Sequence, residues 1–388
     1  MHQLGQRVAV RAGLAILSVA VTLSTVERIL QWRESSQSGV NLQQLTGSNV
    51  DSLIHRQAND PVRVRFFNGC FLDHTLLHQD PVLGYVNVPN SDGYSIRIYG
   101  RTNLVVRQTF DLSQLRQPGV RVDVAPFHIN ALGNRGAESD FAKPADTTRL
   151  VFLGDSVTFG YYVRDEEAYP AVVAARWQAS LSSSRHVEEI NAGVSGLNVD
   201  QIFCHLRERA LSWSPDAVIW GFYVNDLVEP EADVLFPVRR LGGWTCLDET
   251  ALGRLIERCL LASRWGFSLA VDGQHPVNQT VEQAWRHAEM LVEESHRLLE
   301  ARGATLILVA IPSAIQLGRP WTRCSYQERL RRLCARHDIG FVDPLPLLES
   351  ASPATNLYVS GDLIHPNAQG HAVIASAIVE TLAAHPLQ

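Results

Sequence analysis

The chain has 388 residues, 46% of them hydrophobic and 19% charged, which suits one large folded domain with an accessory part and excludes a disordered polymer. Its 34 basic residues face 40 acidic ones for a net charge of −6, and no Lys/Arg-rich block occurs, so nucleic acid is not an expected partner. The six cysteines (Cys70, Cys204, Cys246, Cys259, Cys324, Cys334) show no Cys-x-x-Cys and no Cys/His ligand spacing, so a zinc site is not indicated.

At the N-terminus Arg7 and Arg11 precede an uncharged run from Ala12 to Val26, closed by Glu27 and Arg28. Fifteen residues is short for a spanning helix, which needs about 20, but suits a signal peptide or a short signal-anchor. Residues 1–30 are therefore read as a signal peptide, with Ser18-Val19-Ala20 as a weak cleavage site, or as a membrane anchor. Positive charge before the run sets the rest of the chain outside the cytoplasm, anchored or secreted. In an exported chain Cys246 and Cys259 could bridge within one loop-rich region, or stay as free thiols. Cys324 and Cys334 fall in one predicted helix, about 15 Å apart, too far to pair.

Residues 31–60 are polar and patternless, a linker. From 61 to 145 alternation appears in "GYSIRIYG", with Tyr94, Ile96 and Ile98 on one face, and in "GVRVDVAPF", with Val120, Val122 and Val124. Period-2 runs bounded by Gly, Pro and Asn predict short strands in a small β-rich region. From 146 to 388 strands and helices alternate. The strands are "RLVFLG", "VEEINAG" from Val187, "DAVIWGFYV" from Asp216, "TLILVAIP" from Thr305 and "IGFVD". Helices are predicted over Tyr169–Ser180, Asn198–Trp213, about Thr280–Arg302, up to His337 and after Pro366. This alternation specifies a parallel sheet covered on both faces, with its site at the carboxyl ends of the strands. Residues 229–278 interrupt the rhythm directly after a strand end, as a lid over the site or as a peripheral insertion.

The strand ends carry the candidate chemistry. The first ends in Gly154-Asp155-Ser156, where Ser156 is either a turn residue or a nucleophile with its hydroxyl outward. The second ends "INAGVSGLN", where Gly196 offers a free N–H to an oxyanion, or is a plain glycine turn. The third ends "WGFYVNDL", where Asn225 is costly to bury without a task and its amide can donate; Asp226 is read as fixing the local turn. In "SGDLIHPNAQGHAV" Asp362 lies three residues before His365, and Pro366 is expected in the first turn of the final helix. An Asp can orient an imidazole through Nδ1 and leave Nε2 for a serine proton. His371 lacks such an acid and is given no role.

These four segments together resemble the SGNH hydrolases, or GDSL-type esterases. Their motif residues match Ser156 in "FLGDSVTFG", Gly196 in "NAGVSG", Asn225 in "YVNDL" and His365 in "DLIHPN". The resemblance runs from about Asp146 to the C-terminus, with Val157 where the family name has Leu and a longer gap after Asn225. "DPVLGYVNVPN" and "HINALGNRGAE" more loosely resemble the lead-in of long, N-terminally anchored bacterial members. Arg135 in the second is read as a functional residue or, in preference, as an ordinary domain-junction contact. The resemblance implies a three-layer α/β/α sandwich around a five-stranded parallel sheet of the flavodoxin-like kind. It also implies an ester hydrolase with catalytic Ser156, Asp362 and His365, an oxyanion hole of Ser156, Gly196 and Asn225, and neither cofactor nor metal. The expected partner is a small-molecule, glycan or lipid ester. An O-acyltransferase using the same residues is the alternative, and an inactive envelope binding protein the rival from another class.

Overall fold

Five apolar runs of three to eight residues form one parallel sheet. The computed structural model describes residues 22–26, 28–29, 70–71, 77–99, 121–181, 185–227, 279–318, 326–351, 357–359 and 364–384. The sheet contains β6 (Thr147–Gly154), β7 (His186–Asn191), β8 (Ala217–Phe222), β9 (Thr305–Ala310) and β10 (Gly340–Val342), in the order β10-β9-β8-β6-β7. All four pairings are parallel. Strand β8 is buried at every position, as continuous apolar strands in a twice-covered sheet must be.

The helices are α1 (Ser156–Phe159), α2 (Tyr169–Ser180), α3 (Val199–Glu208), α4 (Gln279–Glu300), α5 (Tyr326–His337), α6 (Leu345–Ala351) and α7 (Ala368–Ala384). Helices α2 and α7 pack together on one face, and α3, α4 and α5 pack in succession on the other. Trp285 of α4 stacks on Phe222 of β8 and on Tyr326 of α5. This is the expected three-layer α/β/α sandwich. Because β6 feeds β7 on one side and β7 returns to β8 on the other, the order reverses between β6 and β8, which opens a crevice at their carboxyl ends.

Small antiparallel sheets precede the sandwich. Strands β2 (Leu77–Asp80) and β3 (Gly84–Asn87) form a hairpin, and β4 (Ser91–Tyr99) pairs with β5 (Arg121–Ile129) and with β1 (Cys70–Phe71). Strands β4 and β5 are the two expected from alternation, and the hairpin and β1 add to them.

Two expectations are corrected. The helix predicted over Asn198–Trp213 ends at Glu208, turns at Arg209 and continues as a 3₁₀ turn over Ala210–Trp213. Pro366 is not in the first turn of α7. It bridges to Tyr358, and Asn367 caps the helix by accepting from the Gln369 and Gly370 N–H groups at 2.9 and 3.1 Å. Of residues 1–30 only 22–26, the end of the apolar run, and 28–29 are described, and they are helical. No helix among the described residues is long and apolar enough to cross a membrane. The 31–60 linker and the 229–278 insertion lie outside the described residues, as do Cys246, Cys259 and Cys324. Cys204 and Cys334 are free thiols.

Candidate active site

Strand β6 ends at Gly154, and the chain turns at once into the four-residue helix α1 with Ser156 as its first residue. Asp155 caps that helix, its Oδ1 accepting from the Val157 N–H at 2.9 Å. Asp155 is fully buried, and desolvation raises its pKa; the Val157 N–H, the His365 charge and the Asn225 amide pull the other way. Its place is structural, under the turn that aims Ser156.

The loop after β7 lies directly against α1. A Cβ on Gly193 would stand 2.3 Å from the Phe159 nitrogen, so only glycine permits this approach. The Gly193 N–H donates to its neighbour Asn191 Oδ1 at 3.1 Å, and the Gly193 carbonyl accepts from Asn87 Nδ2 at 3.2 Å. Gly196, at φ +75°, lies three residues further along the same loop.

After β8, Asn225 sits in a 3₁₀ turn over Val224–Leu227. Its neighbour Asp226 is buried and accepts from the Tyr223 N–H at 3.0 Å, which fixes the turn as expected. Burial and the Asp155 charge push Asp226 well above the ordinary carboxylate range.

The fourth element precedes α7. His365 is held by its carbonyl, which accepts from the Val359 N–H at 3.0 Å, and by the bridge of Pro366 to Tyr358. From there its Nε2 lies 3.0 Å from Ser156 Oγ, across 209 residues of sequence. The structure thus brings Ser156 and His365 into hydrogen-bonding contact and sets Gly196 and Asn225 on the loops after the strands flanking β6. Asp362 lies outside the described residues.

Several residues to which the sequence assigned no catalytic role shape the site. The rings of Tyr161 and Tyr162 meet the His365 ring edge-on at 5.9 and 5.5 Å between centroids. Tyr162 sits in the left-handed region at φ +67°, a strained conformation for a bulky residue. The signal in sequence was the "GYYV" directly after the serine turn. Arg135, read as a junction contact, is buried and holds that turn through four bonds. Its Nε pairs with Asp165 at 2.7 Å, Nη1 donates to the Phe159 and Gly160 carbonyls, and Nη2 donates to the Val163 carbonyl at 2.6 Å. His371 is buried, and its Nδ1 accepts from the Tyr169 N–H at 3.2 Å, at the start of a helix whose own Ala168 cap has no side-chain acceptor. Desolvation lowers its pKa to about 3.

Among the described residues no group of three or more His, Cys, Asp or Glu could hold a metal ion.

Comparison with known proteins bears on this site directly. Residues 152–373, more than half the chain, match the GDSL-like Lipase/Acylhydrolase family, and that span includes Ser156, Gly196, Asn225, Asp362 and His365. No curated protein matches. Among solved structures, an alpha/beta hydrolase enzyme from the metagenome of Lake Arreo, Spain, is 20% identical, covering 61% of this chain and 95% of its own at a TM-score of 0.40. An acetylxylan esterase from Geobacillus stearothermophilus is 16% identical, covering 61% of this chain and 94% of its own at a TM-score of 0.40. A two-domain esterase active on acetylated mannans is 18% identical over 61% of this chain and 49% of its own, again at 0.40. On the family match, the chain belongs to the GDSL-like lipase/acylhydrolases and is a hydrolase of ester bonds.

Proposed function

We propose that the chain is a serine esterase that cleaves carboxylic esters through Ser156, His365 and Asp362 by way of a covalent acyl-enzyme. The observation that carries this reading is the 3.0 Å contact between Ser156 Oγ and His365 Nε2. The role assigned to Asp362, from its spacing of three residues before His365, is to hold the imidazole tautomer that leaves Nε2 unprotonated toward the serine. As Oγ attacks the ester carbonyl carbon, its proton passes to Nε2 and negative charge gathers on the carbonyl oxygen. The donors for that charge are the Ser156 and Gly196 N–H groups and the Asn225 side-chain amide. Ser156 opens its helix, so its N–H has no intrahelical acceptor and is available. Each donor of this kind is worth about 3–4 kcal/mol in the transition state. The intermediate collapses as His365 returns the proton to the departing alcohol, leaving the acyl group on Ser156. Water, deprotonated by His365, then releases the acid.

The substrate class we assign is a small-molecule, glycan or lipid ester. The charge order of residues 1–30 supports a site of action outside the cytoplasm, reached by secretion or with the segment as an anchor, and cell fractionation with an epitope tag tests it. For the chemistry, the full chain and Ser156→Ala are assayed on short- and long-chain aryl esters and on acetylated sugars. A fluorophosphonate probe with peptide mass mapping reports the nucleophile. Loss of hydrolysis and of labelling in the variant is expected, and equal activity of both proteins on every ester refutes the reading. Cleavage of acetyl but not long acyl esters would narrow the substrate to acetylated compounds. Acyl transfer to an added sugar in preference to water would instead make the enzyme an acyltransferase.

A further inference from the structure

The β2–β3 hairpin lies outside the segment matched to the family, yet it is fixed to the sandwich at several points. Gln201 Nε2 of α3 donates to the Leu83 carbonyl at 2.6 Å, Arg209 pairs with Asp80, and Asn87 Nδ2 reaches the Gly193 carbonyl at 3.2 Å. Between these anchors stands Tyr85, its ring half-buried against the main core. Its hydroxyl faces the loop after β7. A Cβ built on Gly196 would lie 3.1 Å from Tyr85 Oη. Given a Cα–Cβ bond of about 1.5 Å, the hydroxyl is within roughly 5 Å of the Gly196 Cα. Asp155 and Tyr161, one beside Ser156 and the other packed on His365, are close enough to act on it electrostatically. No group among the described residues hydrogen-bonds to this hydroxyl. A phenol held this firmly, with a ring that is anchored and a hydroxyl that is not, is placed for a ligand rather than for the fold.

The geometry points to Tyr85 as a substrate-contacting residue: its hydroxyl donates to the carbonyl oxygen of the bound ester, beside the Gly196 N–H. This rests on the serine-esterase reading and deepens it, because the hairpin then completes an oxyanion site otherwise built on the family domain. Burial and the nearby Asp155 charge push the phenol up to about 12, so it stays a donor across the working pH range. A neutral donor aimed at the ester oxygen acts mainly when charge develops there, which raises kcat more than it lowers KM.

The test uses the full chain, Tyr85→Phe and Ser156→Ala, with 4-nitrophenyl acetate as substrate. The phenylalanine keeps the ring and breaks no hydrogen bond to a described residue, so the melting temperature is expected to stay that of the parent. We expect kcat to fall about 10- to 100-fold, with KM within about threefold. Parent-like kcat and KM in Tyr85→Phe, with Ser156→Ala inactive, overturn the assignment and leave the esterase reading standing. Full activity in Ser156→Ala instead overturns the esterase reading itself. A second measurement serves even if Tyr85→Phe does not fold: 3,5-difluorotyrosine is incorporated at position 85, which lowers the phenol pKa. A phenolate cannot donate, so kcat is expected to fall at alkaline pH where the parent stays flat. An unchanged pH profile overturns the proposal, since a purely structural tyrosine would not read its own ionisation.

Discussion

Replacing Arg135 by methionine is expected to cost the enzyme both stability and turnover. The side chain is 1% exposed, and its guanidinium meets the Asp165 carboxylate and the carbonyls of Phe159, Gly160 and Val163. Charge-assisted bonds contribute about 1.5–3 kcal/mol each, so the four would be worth roughly 6–12 kcal/mol taken alone. Burying the cation offsets several kcal/mol of that, and removing one member of such a buried pair typically costs 3–5 kcal/mol net. For a domain of this size each kcal/mol moves Tm by about 2–4 °C, so a fall of roughly 6–20 °C is expected by calorimetry. Salt should change this little, because three of the four bonds go from the buried guanidinium to buried carbonyls, and only the Asp165 side is partly exposed.

The effect on turnover follows from where the bonds fall. The three carbonyls bracket the turn that carries Tyr161 and Tyr162, and both rings pack on His365. Loosening that turn is expected to lower kcat by about tenfold, since small misplacements of a catalytic group are costly. Arg135→Lys keeps the charge for Asp165 but cannot reach three carbonyls with one ammonium, and should fall between parent and Arg135→Met. A melting temperature within about 2 °C of the parent for Arg135→Met, with unchanged kcat, refutes the reasoning.

Asn225→Ala is expected to lower kcat on 4-nitrophenyl acetate by about 10²–10³ through loss of an oxyanion donor, and a change under threefold would remove that role. Gly193→Ala drives a Cβ to 2.3 Å from the Phe159 nitrogen, so a loss of about 1–3 kcal/mol or more is expected in urea unfolding; parent stability would mean that α1 can move aside. His371 gives a pH test. Its folded pKa is depressed to about 3, so its contribution is present above about 6.5 and is lost as pH falls toward 3. Between pH 7 and pH 5 the stability advantage of the parent over His371→Gln should shrink by about 2 kcal/mol, at about 1.4 kcal/mol per unit below 6.5. Comparing the two proteins cancels the opposing trend of Glu189, whose pKa burial raises to about 7. A pH-independent gap would contradict a neutral buried ring.

The strands could be read from the sequence because each is an apolar run closed within a few residues by Gly, Asn, Pro or Asp, and Ser156, Gly196 and Asn225 stood out as polar or small residues at the ends of the first three. Helix α2 appears over the residues its pattern predicted, Tyr169–Ser180. The break at Arg209 was hidden, because no Gly or Pro marks it; Ala210, Leu211 and Trp213 continue the apolar pattern while burying themselves in a 3₁₀ turn. Pro366 looked like a helix opener from its position alone, but the neighbouring Asn367 supplies the cap. The contact of His365 with Ser156 spans 209 residues, so spacing gave its chemistry and only the fold gives its geometry. Tyr85 left no local signal, and Arg135 was legible only as a junction contact, since their roles come from docking against loops 111 and 24 or more residues away.

A helix of four residues cannot stand on its own hydrogen bonds, because nucleating a single turn costs more than it returns. What holds α1 is therefore tertiary: Gly193 packed against its backbone, Thr158 bonded to Tyr169 at 2.8 Å, and Arg135 on the carbonyls that follow. Arg135, and Asn87 that steadies the Gly193 loop, precede the segment matched to the family. A chain beginning at residue 146 would keep every motif residue and lose these supports. It would also uncover surface now covered by Leu83, Val86, Phe127 and Ile129, whose burial contributes about 1.5–3 kcal/mol each. Together with the Arg135 bonds, that loss is comparable to the roughly 5–15 kcal/mol by which a domain is stable at all. The shortened chain is therefore expected to be unfolded, or folded without esterase activity, by circular dichroism and 4-nitrophenyl acetate assay. Parent-level kcat from it would show that the nucleophile's turn is held by the sandwich alone, and that the lead-in is a passenger.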